Sequence, residues 1–353
     1  MTIFPRTRQN SNVHGCTSAA GRNPWPTLIY MMSVLSLNGC AIAPSTPANV
    51  IREAAHNNGY VLAFDNRSET LASGGSEGRI RLWQLPDGKP ITDWKAHTDS
   101  VEGLQFLNQD KELISAGFDG VLARWTRAGT LIAKQTTPAP FTSMIVNEPA
   151  GLILTGHDDG HVRTWRLADL SLVNDLSLHR SRVLVVAWHS ASGQFASSGT
   201  DGRVYYWRQN EPPRELPAPP TDARGIVFSP DGKWLMGGGW FKLFRWQPGD
   251  GTLTVLPTAH RGIIKSIDYS RDGKTLASIS RQLDSSVYFL DPMTGAVVRR
   301  FQPHELCGTF IRLSPDGNYL ASTSDDGSVR IWDLSHPLPE RSFYDNGTTD
   351  KHR

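Results

Sequence analysis

Short apolar runs alternate with polar residues along most of this chain, and turn-forming residues cut them apart every few positions. Residues 313–334, LSPDGNYLASTSDDGSVRIWDL, show the pattern most clearly. Ser314-Pro315-Asp316-Gly317 reads as a turn, because proline presets φ and glycine accepts φ > 0. Asp325-Asp326-Gly327 reads as a second, tighter turn. Tyr319–Ser322 and Ser328–Trp332 alternate as strands do. The stretch predicts an antiparallel meander that ends on a large aromatic.

The meander recurs. Its closing residue falls at Trp83, Trp125, Trp165, Trp207, Trp246, Leu290 (in the aromatic's place) and Trp332, at spacings of 42, 40, 42, 39, 44 and 42 residues. A period of about 40–45 residues with four strands per unit marks a propeller blade. One such unit cannot bury its apolar faces alone, so neighbours must stack into a ring. The predicted fold class is all-β, a seven-bladed β-propeller of four-stranded antiparallel blades over residues 50–345. Arg330-Ile331-Trp332-Asp333 after Asp326-Gly327 resembles the WD-repeat (WD40) family, and the resemblance covers nearly all of that span. The units are unequal. Blade 1 has Glu77-Gly78 for Asp-Gly, and blade 3 lacks the opening His. Blade 5 lacks it too and carries Gly237-Gly238-Gly239-Trp240 where Ser and Asp belong. To close the ring, Val50–Ala54 is expected to pair onto blade 7 as its outer strand, with Ser342–Tyr344 as a rival, and residues 346–353 are expected to fray.

His, Ser and Asp recur together as His97/Ser115/Asp119, His179/Ser197/Asp201 and His304/Ser322/Asp326, followed by Trp125, Trp207 and Trp332. A catalytic triad is needed once. Three copies argue for a structural network that satisfies buried polar groups, and the resemblance implies a blade-stabilising tetrad of this kind. Arg79, Arg81, Arg124, Arg163, Arg203, Arg245 and Arg330 occupy matching positions and read as solvated strand faces. The resemblance also implies a contact surface on the face that bears the loops joining one blade to the next and the turns between the second and third strands of each blade. The residues there are Ser100, Phe118, Asp158, Arg182, Thr200, Cys307 and Asp325, with Trp240 beside them. Their mixed chemistry suits a protein or peptide partner.

Residues 1–39 contain Arg6, Arg8 and Arg22, then the apolar run LIYMMSVLSL at 28–37. Ten apolar residues are too few to span a bilayer but suit a signal peptide. Leu37-Asn38-Gly39-Cys40 resembles the bacterial lipoprotein signal, which implies lipidation of Cys40. Residues 40–49 then read as a flexible tether. The expected location is the bacterial cell envelope, lipid-anchored and facing the periplasm, with a soluble periplasmic form as the alternative.

The full chain of 353 residues has a net charge of +2; without residues 1–39 it has 33 basic and 34 acidic residues. That balance is no footprint for nucleic acid. The three cysteines have no metal or haem spacing. No catalytic, metal-binding or cofactor-binding residues are assigned, and the expected work is non-catalytic docking of an envelope protein by a monomeric propeller. The competing expectation is an enzyme or sensor using the central channel, such as a lactonase-like hydrolase or an electron-transfer partner. That reading needs one non-repeating cluster at the channel mouth, and none is legible in the sequence.

Overall fold

The computed structural model describes residues 43–282 and 284–341. The signal region 1–39, Cys40, Ser342–Tyr344 and residues 346–353 lie outside the described residues. The first strand, β1 (Val50–Arg52), stands apart from the blades that follow it. Blade 1 is β2 (Gly59–Phe64), β3 (Thr70–Gly75), β4 (Arg79–Gln84) and β5 (Lys89–Lys95). Blade 2 is β6 (Val101–Leu107), β7 (Glu112–Gly117), β8 (Val121–Thr126) and β9 (Leu131–Thr136). Blade 3 is β10 (Phe141–Asn147), β11 (Leu152–His157), β12 (His161–Arg166) and β13 (Leu172–Ser177). Blade 4 is β14 (Val183–His189), β15 (Gln194–Gly199), β16 (Val204–Arg208) and β17 (Arg214–Glu215). Blade 5 is β18 (Gly225–Phe228), β19 (Leu235–Gly238), β20 (Lys242–Gln247) and β21 (Thr252–Pro257). Blade 6 is β22 (Ile263–Tyr269), β23 (Leu276–Arg281), β24 (Val287–Leu290) and β25 (Val297–Phe301). Blade 7 is β26 (Gly308–Leu313), β27 (Tyr319–Ser324), β28 (Val329–Asp333) and, on its outer edge, β1.

This is a seven-bladed propeller of four-stranded antiparallel sheets. β1 pairs with β28 through Val50–Ile331, Ile51–Arg330 and Arg52–Val329, so the first strand of the ring completes the last blade. The turns are local chemistry. Asp316 accepts from Ser314 Oγ at 2.6 Å and from the Asn318 amide at 3.0 Å, while Gly317 takes φ +79°. Asp231 and Asp272 repeat the motif with Ser229 and Ser270. Among the described residues no helix is long and apolar enough to cross a membrane.

The apolar core lies between blades rather than within them. One cluster joins Leu62, Leu71 and Trp83 of blade 1 to Ala321, Val329 and Ile331 of blade 7, and every other neighbouring pair of blades shares a cluster of its own. Near the axis the blades converge, and glycine is needed there. A Cβ on Gly59 would lie 2.6 Å from Thr323 Cβ, and one on Gly103 would lie 2.5 Å from Met144 Cβ.

The tether expectation needs correction. Ser45–Asn49 is docked between blades 6 and 7. The Thr46 amide donates to Arg300 O at 2.9 Å, and its carbonyl accepts from the Gln302 amide at 2.8 Å. The Asn49 amide donates to Ile331 O, and Asn49 Oδ1 accepts from the Asp333 amide, each at 2.9 Å. Ser45, Thr46 and Ala48 are buried. Small residues fit the seam between two blades, which is why a composition typical of a linker packs here.

Candidate functional site

The His-Ser-Asp sets form bonded chains. In blade 2 the Trp125 indole donates to Ser115 Oγ at 2.8 Å, Ser115 lies 2.7 Å from His97 Nε2, and His97 Nδ1 lies 3.0 Å from Asp119. Since a carboxylate only accepts, Nδ1 carries the proton and Nε2 accepts from the serine. Blade 1 builds the same chain with Glu77: Trp83 to Ser73 at 2.8 Å, Ser73 to His56 at 2.8 Å, and His56 to Glu77 at 2.7 Å. Glu77 takes the aspartate's place, and Arg81 donates to it as well.

Two of the expected tetrads differ at the indole. In blade 4, His179 meets Ser197 at 2.9 Å and Asp201 at 3.0 Å, but Trp207 stacks on Phe195 at 5.5 Å instead of bonding Ser197. In blade 7, His304 meets Ser322 at 2.6 Å and Asp326 at 3.1 Å, but Trp332 donates to the Thr46 carbonyl at 3.1 Å. Blade 3 fills the missing place from its own second strand. His157 at the end of β11 lies 2.8 Å from Thr155 Oγ1, which accepts from Trp165 at 2.8 Å. Blade 6 is looser: His260 bonds Ser278 at 2.9 Å, Asp284 stands 3.6 Å from His260, and Leu290 offers no donor.

Burial favours the neutral form of four of these imidazoles. It lowers His56, His179 and His304, and brings His157 down to about 4. Burial alone would raise Glu77 and Asp284, yet the bonds of Glu77 to His56 and Arg81, and for Asp284 the nearby His260 and the Ser280 hydroxyl, bring both to about 2. All of these folded values lie below the unfolded ones, so each group stabilises the fold at neutral pH and loses that contribution on acidification. For His157 the loss runs from about pH 6.5 to about 4 and is worth roughly 3 kcal/mol. The carboxylates add a second loss from about pH 4.5 towards 2. Urea midpoints should therefore fall in two stages below neutrality, and His157→Gln should flatten the first stage. A midpoint constant from pH 7 to 4 would contradict this.

Six of the seven arginines lie beside acids rather than being simply solvated. Arg79 meets Asp93 at 2.5 Å, Arg124 meets Glu112 at 2.5 Å, and Arg163 meets both Asp159 at 2.7 Å and Asp175 at 3.1 Å. Arg330 is 4 % exposed and donates to the Pro303 carbonyl. Arg245 is the exception: it donates to the Met293 carbonyl at 3.0 Å and lies over the Trp234 ring at 4.8 Å, and with the other charges met by acids no basic belt forms.

On the loop face the expected contact residues separate into exposed and buried groups. The Arg182 guanidinium lies over the Phe118 ring at 5.1 Å and 3.6 Å from Asp158, linking blades 2, 3 and 4. Thr200 is exposed and bonds Ser181 at 2.8 Å. Asp325 accepts from Arg281 at 3.0 Å and from Asn58 at 3.2 Å, which ties blades 6, 7 and 1 together. Trp240 is half-buried against Phe241, ring centroids 5.4 Å apart, and Phe241 is exposed. Ser100 and Cys307 are buried, so neither belongs to an exposed contact surface.

The sequence reading missed a cluster at the channel mouth. Glu102 and Lys265 project from the first strands of blades 2 and 6, with Tyr60, Arg224 and Thr142 beside them around a cavity of about 470 Å³. A lone charge inside an apolar strand, as in Val101-Glu102-Gly103-Leu104 and Ile263-Ile264-Lys265-Ser266-Ile267, was the available signal. Among the described residues no group of three or more His, Cys, Asp or Glu side chains is placed to hold a metal ion.

The family described as "WD domain, G-beta repeat" matches residues 49–84, 88–126, 170–208 and 295–333. These segments end on the third strands of blades 1, 2, 4 and 7, the four blades in which His reaches Ser and an acid directly. The chain is 26% identical over 286 residues to apoptotic protease-activating factor 1 of Rattus norvegicus, covering 74% of this chain and 22% of that protein. It is 23% identical over 279 residues to striatin-4 of Homo sapiens, covering 69% and 37%. Against periodic tryptophan protein 2 of Arabidopsis thaliana it is 22% identical over 291 residues, covering 80% and 29%. The chain thus spans well under half the length of these relatives. It is a seven-bladed propeller that carries WD40 repeats and has WD-repeat relatives along most of its length.

Proposed function

We propose that the chain is a non-catalytic docking platform for another protein, held at a bacterial cell envelope by a lipid on Cys40 and facing the periplasm. WD40 propellers generally bind protein partners, which favours the class. The observation that carries the reading is the Phe118–Arg182–Asp158 cluster on the loop face. It presents an aromatic and an arginine, residue types enriched where binding energy concentrates. Three blades hold it in place before any partner arrives, so little conformational freedom is lost on association.

The test is crosslinking in intact cells followed by mass spectrometry of captured proteins. A Phe118→Ala/Arg182→Ala/Asp325→Ala variant should lose a partner that the unaltered chain captures. An unchanged capture pattern would remove this face from consideration. In the same cells Cys40→Ala should move the protein from the membrane to the soluble fraction; retention in the membrane would sink the lipid anchor.

A further inference from the structure

We propose that the mouth of the central channel binds a small zwitterionic molecule of the amino-acid type, its carboxylate held by Lys265 and Arg224 and its ammonium by Glu102. This goes beyond docking on the loop face and does not depend on it. The site arises from a repeated backbone device. In six blades the first strand carries a one-residue register shift against the second, at Tyr60, Glu102, Thr142, Leu184, Lys265 and Thr309. Such bulges re-aim a side chain, and all six shifted residues line the axial cavity. Blade 5 has no shift, and Arg224 immediately before β18 lines the cavity there.

The charges at this mouth are incompletely matched. Arg182 is held by Asp158 at 3.6 Å and Arg281 by Asp325 at 3.0 Å. Lys265 has no ion pair or hydrogen bond among the described residues. Among the described residues Glu102 accepts only from Ser100 Oγ, at 2.6 Å. The two charges approach from blades 2 and 6 without touching. Arg224 reaches Asp222 at 3.3 Å through one terminal nitrogen, but its Nε is buried without a partner. The Thr142 hydroxyl is likewise buried and unpartnered, on a side chain 7 % exposed. Burial pushes the Glu102 carboxyl up and lowers Lys265 to about 8, so both charges are kept in surroundings that disfavour them. Glu102, Arg224 and Lys265 are half-buried, and charge left unpaired in a cavity with perturbed titration is a candidate for binding something.

The arrangement selects the ligand class. A plain anion beside Lys265 and Arg224 would also face Glu102, and a plain cation beside Glu102 would face two positive groups. A molecule with both signs satisfies all three. The cavity of about 470 Å³ is within the size range of small-molecule sites, and Leu184 offers an apolar wall to a side chain.

Isothermal titration of the purified full-length chain with each common L-amino acid in turn tests this, with succinate and inorganic phosphate as anions lacking an amine. One or more amino acids should bind with one-to-one stoichiometry. Lys265→Met and Glu102→Gln should each weaken that binding at least about tenfold, the loss expected for one charge-assisted hydrogen bond. Neither variant should lower the thermal midpoint. If a charge variant unfolds, Leu184→Trp decides, since it fills the cavity and leaves the charges alone; retained binding in it overturns the proposal. So does binding of no amino acid, or equal binding of succinate and phosphate with Glu102→Gln silent.

Discussion

A chain beginning at Glu53 is expected to unfold at a much lower urea concentration than the full-length protein and to self-associate. Removing residues 1–52 deletes β1 and leaves β28 with an open edge. An unpaired strand edge is a template for pairing with another chain. The same deletion removes the Thr46 carbonyl that receives the Trp332 indole, and the Ala48 side chain packed in the seam between blades 6 and 7. It also removes Arg52, whose guanidinium donates to the Gly88 and Asp87 carbonyls and so pins β1 to blade 1. Ring closure is cooperative, because each blade buries its core only against its neighbours. The loss should therefore be a large part of the roughly 5–15 kcal/mol that stabilises an ordinary domain. Urea unfolding with size-exclusion chromatography reads both effects. An unchanged midpoint and a monomeric peak would mean that β1 does not close the ring. Repeating the deletion in a chain that also lacks residues 342–353 asks whether the C-terminal segment can take over.

Trp332→Ala should cost about 3–5 kcal/mol, the range for removing a fully buried aromatic. Trp332 is completely buried and meets the Phe301 ring at a centroid distance of 5.5 Å. It sits in the cluster that joins blades 6 and 7 and includes Ile279, Val287 and Leu320. The indole also bonds Thr46, so its loss loosens the N-terminal segment as well as the core. Trp332→Phe separates the two contributions. It keeps much of the packing and gives up only the bond to a carbonyl that still accepts from Gln302, which should cost about 1 kcal/mol. Equal destabilisation by both substitutions would mean that the hydrogen bond, not the packing, dominates. Leu290 is the internal comparison: the same position in blade 6 is filled by a smaller residue, with Val297 and Tyr288 packed around it.

The period of the closing residue, the turn chemistry and the alternation were enough for the ring and its seven blades. These are local signals, repeated in each unit, and repetition separates a structural His-Ser-Asp chain from a catalytic one. Other features were legible only in part. The sequence suggested a Trp-to-Ser bond in every complete set, but whether the indole reaches the serine depends on what packs against it. Phe195 draws Trp207 into a stack, and Thr46, 286 residues away from Trp332, draws that indole to a backbone carbonyl. Blade 3 gave no sign that His157 would take over the missing histidine's role, since its neighbour Phe141 comes from another strand.

By itself, then, the sequence determined the architecture, because each blade carries its own turns, strands and aromatic plug within about forty residues. Only the tertiary structure decided where Ser45–Asn49 goes and what surrounds the channel. A small, uncharged segment has no local preference for a linker or a seam; the groove between blades 6 and 7 supplies the partners. Glu102, Arg224 and Lys265 are scattered over more than 160 positions of sequence. Each looks like an ordinary polar residue in or beside an apolar strand. They become one site because ring closure brings the first strands of all blades to a common axis and the bulges turn their extra residues into the same cavity.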